Sequence, residues 1–263
     1  MKITLNIKKT LEQNASVYYE KAKKSKKKLE GARKALEESR KKYKKQEKTT
    51  TAELAEAEEK AKPKKKRAKK WYEKFRWFYT SDGFLCIGGR DATTNEIVIK
   101  KNTDKDDVVF HTDMAGSPFF VIKKNSQPDK DISETAKQEA TDATLAFSRA
   151  WKLGLVNASV FNVSPDQVTK EAQSGEYIPK GAFMIRGKTN YLPPRNQIAI
   201  GAYEDTVMAG PLDAVKAHCK EYLQIIRGKR KSSDVAKSIR KKLGGELDDI
   251  IAALPPGNCD IKK

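Results

Sequence analysis

From Leu11 onward an apolar or small residue recurs at alternating spacings of four and three, through Ala15, Tyr18, Ala22, Ser25, Leu29, Ala32, Leu36, Ser39 and Tyr43. That spacing is the heptad seam of a helix that lays one stripe against a partner. A second seam runs through Leu54, Ala57, Ala61, Lys64, Ala68, Trp71, Phe75 and Phe78. Between the two stands Thr49-Thr50-Thr51, a β-branched polar run that propagates a helix poorly and can cap the next one. The pattern predicts two helices folded as an antiparallel hairpin, a coiled coil with thin apolar burial because its seam is rich in Ala and Ser. Pro63 removes one backbone donor inside the second helix at a cost of roughly 3 kcal/mol, which predicts a kink or break near Lys60.

Past Trp71 the period changes. The run Trp71-Tyr72-Glu73-Lys74-Phe75-Arg76-Trp77-Phe78-Tyr79 is too apolar for an exposed helix end and is expected to dock the hairpin onto a core. Residues 84–87 read as a strand entering the turn Gly88-Gly89-Arg90-Asp91, whereas 95–101 suit a helix or an extended segment equally. Residues 108–111 and 119–123 read as two strands, most simply joined as a hairpin. Ser133 opens a helix whose stripe is Ala136, Ala140, Ala143, Phe147, Ala150 and Trp151, and Gly154 stops it. Further strands are expected at 160–163, 182–185 and 197–203, then two or three short helices over 211–254 and a loose end after Leu254-Pro255-Pro256-Gly257-Asn258. The expected class is α+β, divided into a basic coiled-coil hairpin (1–70), a mixed globular domain (71–210) and a helical C-terminal tail (211–263).

Charge divides the chain in the same way. The 263 residues carry 54 Lys or Arg against 35 Asp or Glu, a net +19. Residues 1–70 hold 25 of those cations against 10 carboxylates, and the remainder is nearly balanced. Lys26, Lys27, Lys28, Lys41 and Lys42 mark the clusters of the first helix, and Lys64, Lys65, Lys66 and Arg67 those of the second. Like charges one turn apart weaken a helix by a few tenths of a kcal/mol per pair, so a polyanion would relieve the strain, and phosphate backbone is the natural one. A solvated lysine-rich face and a nuclear localisation signal over 63–70 are the plainer alternatives. The helices lack the Trp/Phe/Leu wedge of an interfacial membrane helix, and no run approaches the roughly 18 apolar residues of a span, so no membrane partner is expected. The amino terminus has no secretory core, which reads as a soluble intracellular chain. Three cysteines without metal spacing and two histidines argue against a disulfide scaffold or a zinc site, so neither metal nor other cofactor is expected.

Candidate chemistry is correspondingly narrow. His111-Thr112-Asp113 offers an imidazole and a carboxylate on one face of a strand with no third group, so His111 reads as structural or ligand-contacting rather than catalytic. Neither Gly88-Gly89-Arg90 nor Arg186-Gly187-Lys188 is a phosphate loop of a nucleotide hydrolase. What recurs is glycine beside a cation: Gly89-Arg90, Lys180-Gly181 and Arg186-Gly187-Lys188, with Lys123, Lys170 and Arg195 nearby in sequence. Glycine lets backbone approach a ligand, arginine forks onto phosphate, and Tyr177, Phe183 and Tyr191 could stack on bases. Candidate RNA contacts are therefore Arg90, Asp91, His111, Asp113, Lys123, Lys170, Tyr177, Lys180, Arg186, Lys188 and Arg195. Ordinary hairpin glycines beside surface cations are the competing reading of each.

Six ordered strings carry a resemblance: Trp71 to Phe78, Gly88-Gly89-Arg90-Asp91-Ala92 with Asn95-Glu96, His111-Thr112-Asp113, Gln167-Val168-Thr169-Lys170, Ser174-Gly175-Glu176-Tyr177, and Gly181-Ala182-Phe183-Met184-Ile185-Arg186-Gly187-Lys188 with Leu192-Pro193-Pro194. Together they resemble the C-terminal RNA-binding (NFACT-R) domain of the NFACT proteins, a family that includes ribosome-associated quality-control factors and the nuclear export mediator factor. Asn14-Ala15, Tyr18 to Lys24 and Lys28 to Ala32 resemble the family's middle coiled coil, and Leu247-Asp248-Asp249-Ile250-Ile251 the ending of archaeal-type members. The resemblance implies a cytoplasmic, non-enzymatic RNA-binding protein of ribosome-associated quality control whose partners are rRNA, tRNA and the large ribosomal subunit. Full-length members begin with an NFACT-N domain and a helix-hairpin-helix module absent here, so a split protein working with a separate NFACT-N chain is expected, and C-terminal tailing is not assigned. The family's second histidine after His111 is Ala115 in this chain. An RNA-processing or RNA-modifying enzyme using His111 and Asp113 is the alternative.

Overall fold

The computed structural model describes residues 3–8, 10–60, 68–155, 158–171 and 178–262, without the side chains of 44–60. The chain divides into two compact units, Met1–Ala68 and Lys69–Lys263.

Among its described residues the first unit holds one helix, α1 (Leu11–Lys60), of 50 residues. A reciprocal cap starts it: the Thr10 N–H donates to Gln13 Oε1 at 3.1 Å, and the Gln13 N–H to Thr10 Oγ1 at 3.3 Å. The preceding strip lies back along the first turns, with Asn14 Oδ1 accepting the Asn6 N–H at 2.8 Å and the Tyr18 hydroxyl donating to the Thr4 carbonyl at 2.6 Å. The turn expected at Thr49-Thr50-Thr51 does not form, because α1 runs straight through it. Each Thr costs only a few tenths of a kcal/mol in a helix, while ending at Lys48 would strand four carbonyls between two runs of strong helix formers. The return helix expected from Leu54 to Phe78 is therefore replaced at both ends. Its beginning belongs to α1, and Trp71–Lys74 is a 3-10 turn leading into a strand. Pro63 and its predicted kink lie outside the described residues. The seam residues Leu11, Leu29, Leu36 and Tyr43 are 78%, 55%, 57% and 69% exposed.

The second unit begins with β1 (Arg76–Tyr79), β2 (Leu85–Gly88), α2 (Ala92–Lys101), β3 (Val108–Thr112), β4 (Phe120–Lys123), α3 (Glu134–Ala146), α4 (Arg149–Leu153) and β5 (Val160–Val163). It continues through β6 (Val168–Thr169), β7 (Met184–Ile185), β8 (Asn190–Leu192), β9 (Ile198–Tyr203) and β10 (Thr206–Pro211). The last elements are α5 (Leu212–His218), β11 (Tyr222–Arg230), α6 (Ser232–Leu243), α7 (Leu247–Ala253) and β12 (Cys259–Ile261).

Six antiparallel strands form one sheet in the order β1-β2-β4-β3-β5-β8, and four form a second in the order β10-β9-β11-β12. The β6–β7 ladder stands apart as a two-stranded ribbon. One apolar core spans both large sheets, from Phe78, Phe110 and Phe120 to Ile198, Ile200 and Met208, and α3 packs on it with Ala136, Ala140 and Ala143 fully buried. The fold is α+β, as expected. The 108–112 and 120–123 strands pair as a hairpin with Val109 opposite Val121. The 92–101 segment, open between two readings, is helical because Asp91 caps it, accepting the Thr94 N–H at 2.8 Å.

Three segments depart from the pattern reading. The aromatic run forms a strand rather than a helix, with Phe78 fully buried and Trp77 and Tyr79 both meeting Tyr203, at 5.7 and 5.8 Å between centroids. The helix opened by Ser133 breaks at Phe147, because the Ser148 hydroxyl accepts the Ala150 N–H at 3.1 Å and caps a new one, α4, which Gly154 ends at φ +74°. Finally, the segment after Pro211 is not all helical. Residues 222–230 are the nine-residue strand β11, and the expected loose end returns as β12, pairing Asp260 with Ile226.

Candidate nucleic-acid interface

Two glycines allow the first wall of a cleft. A Cβ on Gly89 would come 1.9 Å from Asn95 Oδ1, and one on Gly181 2.4 Å from the Ala92 backbone. The space at Gly89 lets the buried Asn95 amide accept the Phe119 N–H at 3.2 Å, joining α2 to the segment ahead of β4. Gly181, at φ +80°, lets the 178–183 loop lie directly on the start of α2. Glu96 fixes that loop by accepting the Gly181 N–H at 3.1 Å and pairing with the Lys170 ammonium. These contacts hold the Glu96 carboxyl down at about 2.

The loop, the Gly88-Gly89-Arg90-Asp91 turn, the end of β3, the 115–119 segment and α4 enclose a cleft of about 530 Å³. Its floor is aromatic. The His111 ring stacks on Phe119 at 4.1 Å and 24°, and Phe183 meets Phe119 edge-on at 5.4 Å. Burial pushes the His111 imidazole down to about 4, partly offset by hydrogen bonding to the Thr112 and Ser117 backbone, so the ring is neutral at pH 7. Around this floor stand Arg76, Arg90, Arg149, Lys152 and Lys180. Arg90 is held by donating to the Phe75 carbonyl at 2.9 Å, and Arg76 lies 4.4 Å over the Phe147 ring while donating to the Leu254 carbonyl at 3.0 Å. Burial lowers both guanidinium groups, Arg76 to about 9 with Arg90 adding repulsion. Among the described residues none of the five cations forms an ion pair, and the one carboxylate lining the cleft, Asp91, is engaged in capping α2. Apolar floor, unpaired cations and a neutral flat ring can take a base and its phosphates together.

The expected contacts distribute unevenly about this cleft. Arg90, Asp91, His111 and Lys180 line it. Lys170 stands behind the loop, 5.0 Å over the Phe183 ring. Lys123 is 7% exposed and reaches inward to Asp104 and Asp107, so its ammonium faces protein. Asp113 is exposed and accepts the Tyr191 hydroxyl at 3.1 Å, with no hydrogen bond to His111 among the described residues. Arg186 and Lys188 flank Gly187 beside the β6–β7 ribbon, where Gln167 donates to both their carbonyls. Arg195 donates its N–H to Asp142 at 2.6 Å in a separate, carboxylate-lined hollow. Tyr177, Lys64, Lys65, Lys66 and Arg67 lie outside the described residues. Lys26, Lys27, Lys28, Lys41 and Lys42 are exposed along α1. Sequence reasoning missed Arg76, Arg149 and Lys152, none of which has a glycine as its immediate chain neighbour. Among the described residues no cluster could hold a metal ion, and no helix is long and apolar enough to cross a membrane.

Comparison with known proteins bears on the same segment. The archaeal Rqc2 homolog aRqcH of Methanocaldococcus jannaschii is 42% identical over 210 residues, 77% of this chain and 31% of that protein. Human ribosome quality control complex subunit NEMF is 37% identical over 185 residues, 69% of this chain and 16% of its own length. Ribosome quality control complex subunit 2 of Schizosaccharomyces pombe is 40% identical over 124 residues, 47% of this chain and 12% of its own. The chain thus spans less than a third of the length of each of these relatives. The family model described as NFACT protein RNA binding domain matches residues 74–187, from the entry of β1 to the glycine after β7, which include most of the cleft. Residues 74–187 are an NFACT RNA-binding domain, and the chain belongs to the NFACT family.

Proposed function

We propose that the chain acts in ribosome-associated quality control as a non-enzymatic RNA-binding protein that engages the large ribosomal subunit and tRNA in the cytoplasm. The cleft takes a strand of RNA, with bases against the His111–Phe119–Phe183 floor and phosphates on the surrounding cations. The exposed lysines of α1 add further phosphate contacts. The observation that carries this reading is the ring of five cations, none of which forms an ion pair among the described residues, around an apolar floor inside the matched domain. An imidazole held neutral to about pH 4 and a carboxylate turned toward Tyr191 disfavour acid–base chemistry by His111 and Asp113.

Binding of the full chain to single-stranded RNA and to purified large subunits, measured across salt concentrations, tests it. Replacing Arg149 and Lys180 together by Ala should lower RNA affinity roughly tenfold and reduce the salt slope by about 1.4, the value for two single-strand phosphate contacts. Replacing Lys26, Lys27, Lys28, Lys41 and Lys42 by Gln should flatten the slope further. Unchanged affinity and slope in the first variant would remove the cleft from RNA binding.

A further inference from the structure

A second basic region lies past the matched domain. Residues 222–243 hold eight cations and one carboxylate. Of these, Arg230 is already engaged, donating to Asp260 at 3.1 Å and to the Ser238 hydroxyl at 2.7 Å. Arg227, Lys229 and Lys231 are exposed and form no ion pair among the described residues.

These side chains are joined to the cleft by packed structure. Lys152 of α4 lines the cleft, and two residues on, Gly154 lies beneath the Arg227 guanidinium, so close that a Cβ there would stand 1.6 Å from Nη1. Pro256 lines the cleft as well, and its neighbour Gly257 lies against the Lys152 stem. The same short loop is tied to the start of α6 and to β11. The Ser232 hydroxyl donates to the Gly257 carbonyl at 2.7 Å, and the Asn258 amide donates to the Lys229 carbonyl at 3.2 Å. Cations therefore follow one another from Arg149 and Lys152 round the C-terminal end of α4 to Arg227 and on to Lys229 and Lys231. A helix C-terminus repels anions, and Arg227 placed over Gly154 offsets that repulsion.

We infer that an RNA strand seated in the cleft leaves it across the end of α4 and continues along Arg227, Lys229 and Lys231, so that the footprint extends beyond the NFACT domain onto β11 and the start of α6. The contacts are to phosphate and independent of sequence, since this stretch presents cations and no aromatic ring beside them. The inference rests on the cleft taking RNA, and the two are separable by strand length.

Affinities of the full chain for oligouridylates of about four and about twelve nucleotides decide the matter, the shorter reaching the cleft alone. In a variant with Arg227→Ala and Lys229→Ala, affinity for the longer strand should fall roughly tenfold and its salt slope by about 1.4, while the shorter strand binds as to the unmodified chain. Arg227→Lys with Lys229→Arg, which keeps both charges, should restore the longer strand. Equal losses for both lengths, or none for either, would overturn the extended path. A cleft variant that binds the short strand normally would instead sink the cleft reading, leaving the long-strand comparison to stand on its own result.

Discussion

The carboxylate of Glu96 on α2 accepts the Gly181 N–H at 3.1 Å and pairs with Lys170, closing one wall of the cleft over 85 residues of chain. Replacing Glu96 by Ala should release the 178–183 loop, raise its cleavage by protease, and weaken RNA binding several-fold with little effect on the melting temperature. The same tether is pH-dependent. With the folded carboxyl at about 2 against its usual 4.5, the stabilisation is complete above pH 4.5 and is lost as pH falls toward 2. Loop protection that stayed constant across that window would contradict the tether.

The glycines beside the cations are there for clearance. Gly89→Ala would drive a methyl into Asn95 Oδ1, and Gly181→Ala would press Ala92 while also forcing a left-handed backbone on a residue with a side chain. Each substitution should cost about 1–3 kcal/mol in denaturant unfolding. Gly31→Ala on α1, where nothing lies within 4 Å of the new methyl, should instead stabilise the helix by about 1 kcal/mol.

Lys123 belongs to the architecture in spite of its place among cationic motifs. Its ammonium is surrounded by Asp104, Asp107 and the Asn102 carbonyl, and Asp107 is 3% exposed. Lys123→Ala leaves Asp107 buried without its cation and should destabilise the fold by about 3–5 kcal/mol. The folded fraction should bind RNA as the unmodified chain does. An affinity loss at full folding would show that the ammonium reaches solvent after all.

Much of the body was legible in the pattern, and the reasons for the exceptions are local. The strands around Val109, Val121 and Phe161 announce themselves through short β-branched or aromatic runs, and α3 through its alanine stripe. β11 hides because its outer half, Arg227 to Arg230, is cationic, so its apolar residues read as the end of a helix. The break at Phe147 was invisible to periodicity, since Ala150 and Trp151 continue the same stripe by spacing while Ser148 recaps the backbone. The three threonines in α1 carried a weak preference that strong helix formers on both sides overcame. At the site, Arg90 and Lys180 were found through their glycines. Arg76, Arg149 and Lys152 come together with them only through the packing of β1 and α4 around Phe147, which no local string encodes.

His111 separates a recognition ring from a proton-transfer group. In the folded chain it stays neutral down to about pH 4, while in the unfolded chain it takes up a proton near its usual 6.5. Between those values the unfolded state binds a proton that the folded state does not. Its contribution is therefore complete above pH 6.5 and declines as pH falls to 4, a loss on the order of 3 kcal/mol. His111→Phe keeps a flat ring on Phe119 and should abolish that component of the acid-induced loss, read as urea midpoints from pH 7 to pH 4. RNA affinity at fixed salt should show no rise in the unmodified chain as pH drops from 7 to 5.5, because no charge develops at the floor of the cleft. In the variant it should stay within about twofold, since stacking tolerates the exchange of one ring for another. An apparent pKa near 6.5 in the affinity profile, abolished by the substitution, would reinstate His111 as a titrating group and with it the enzymatic alternative.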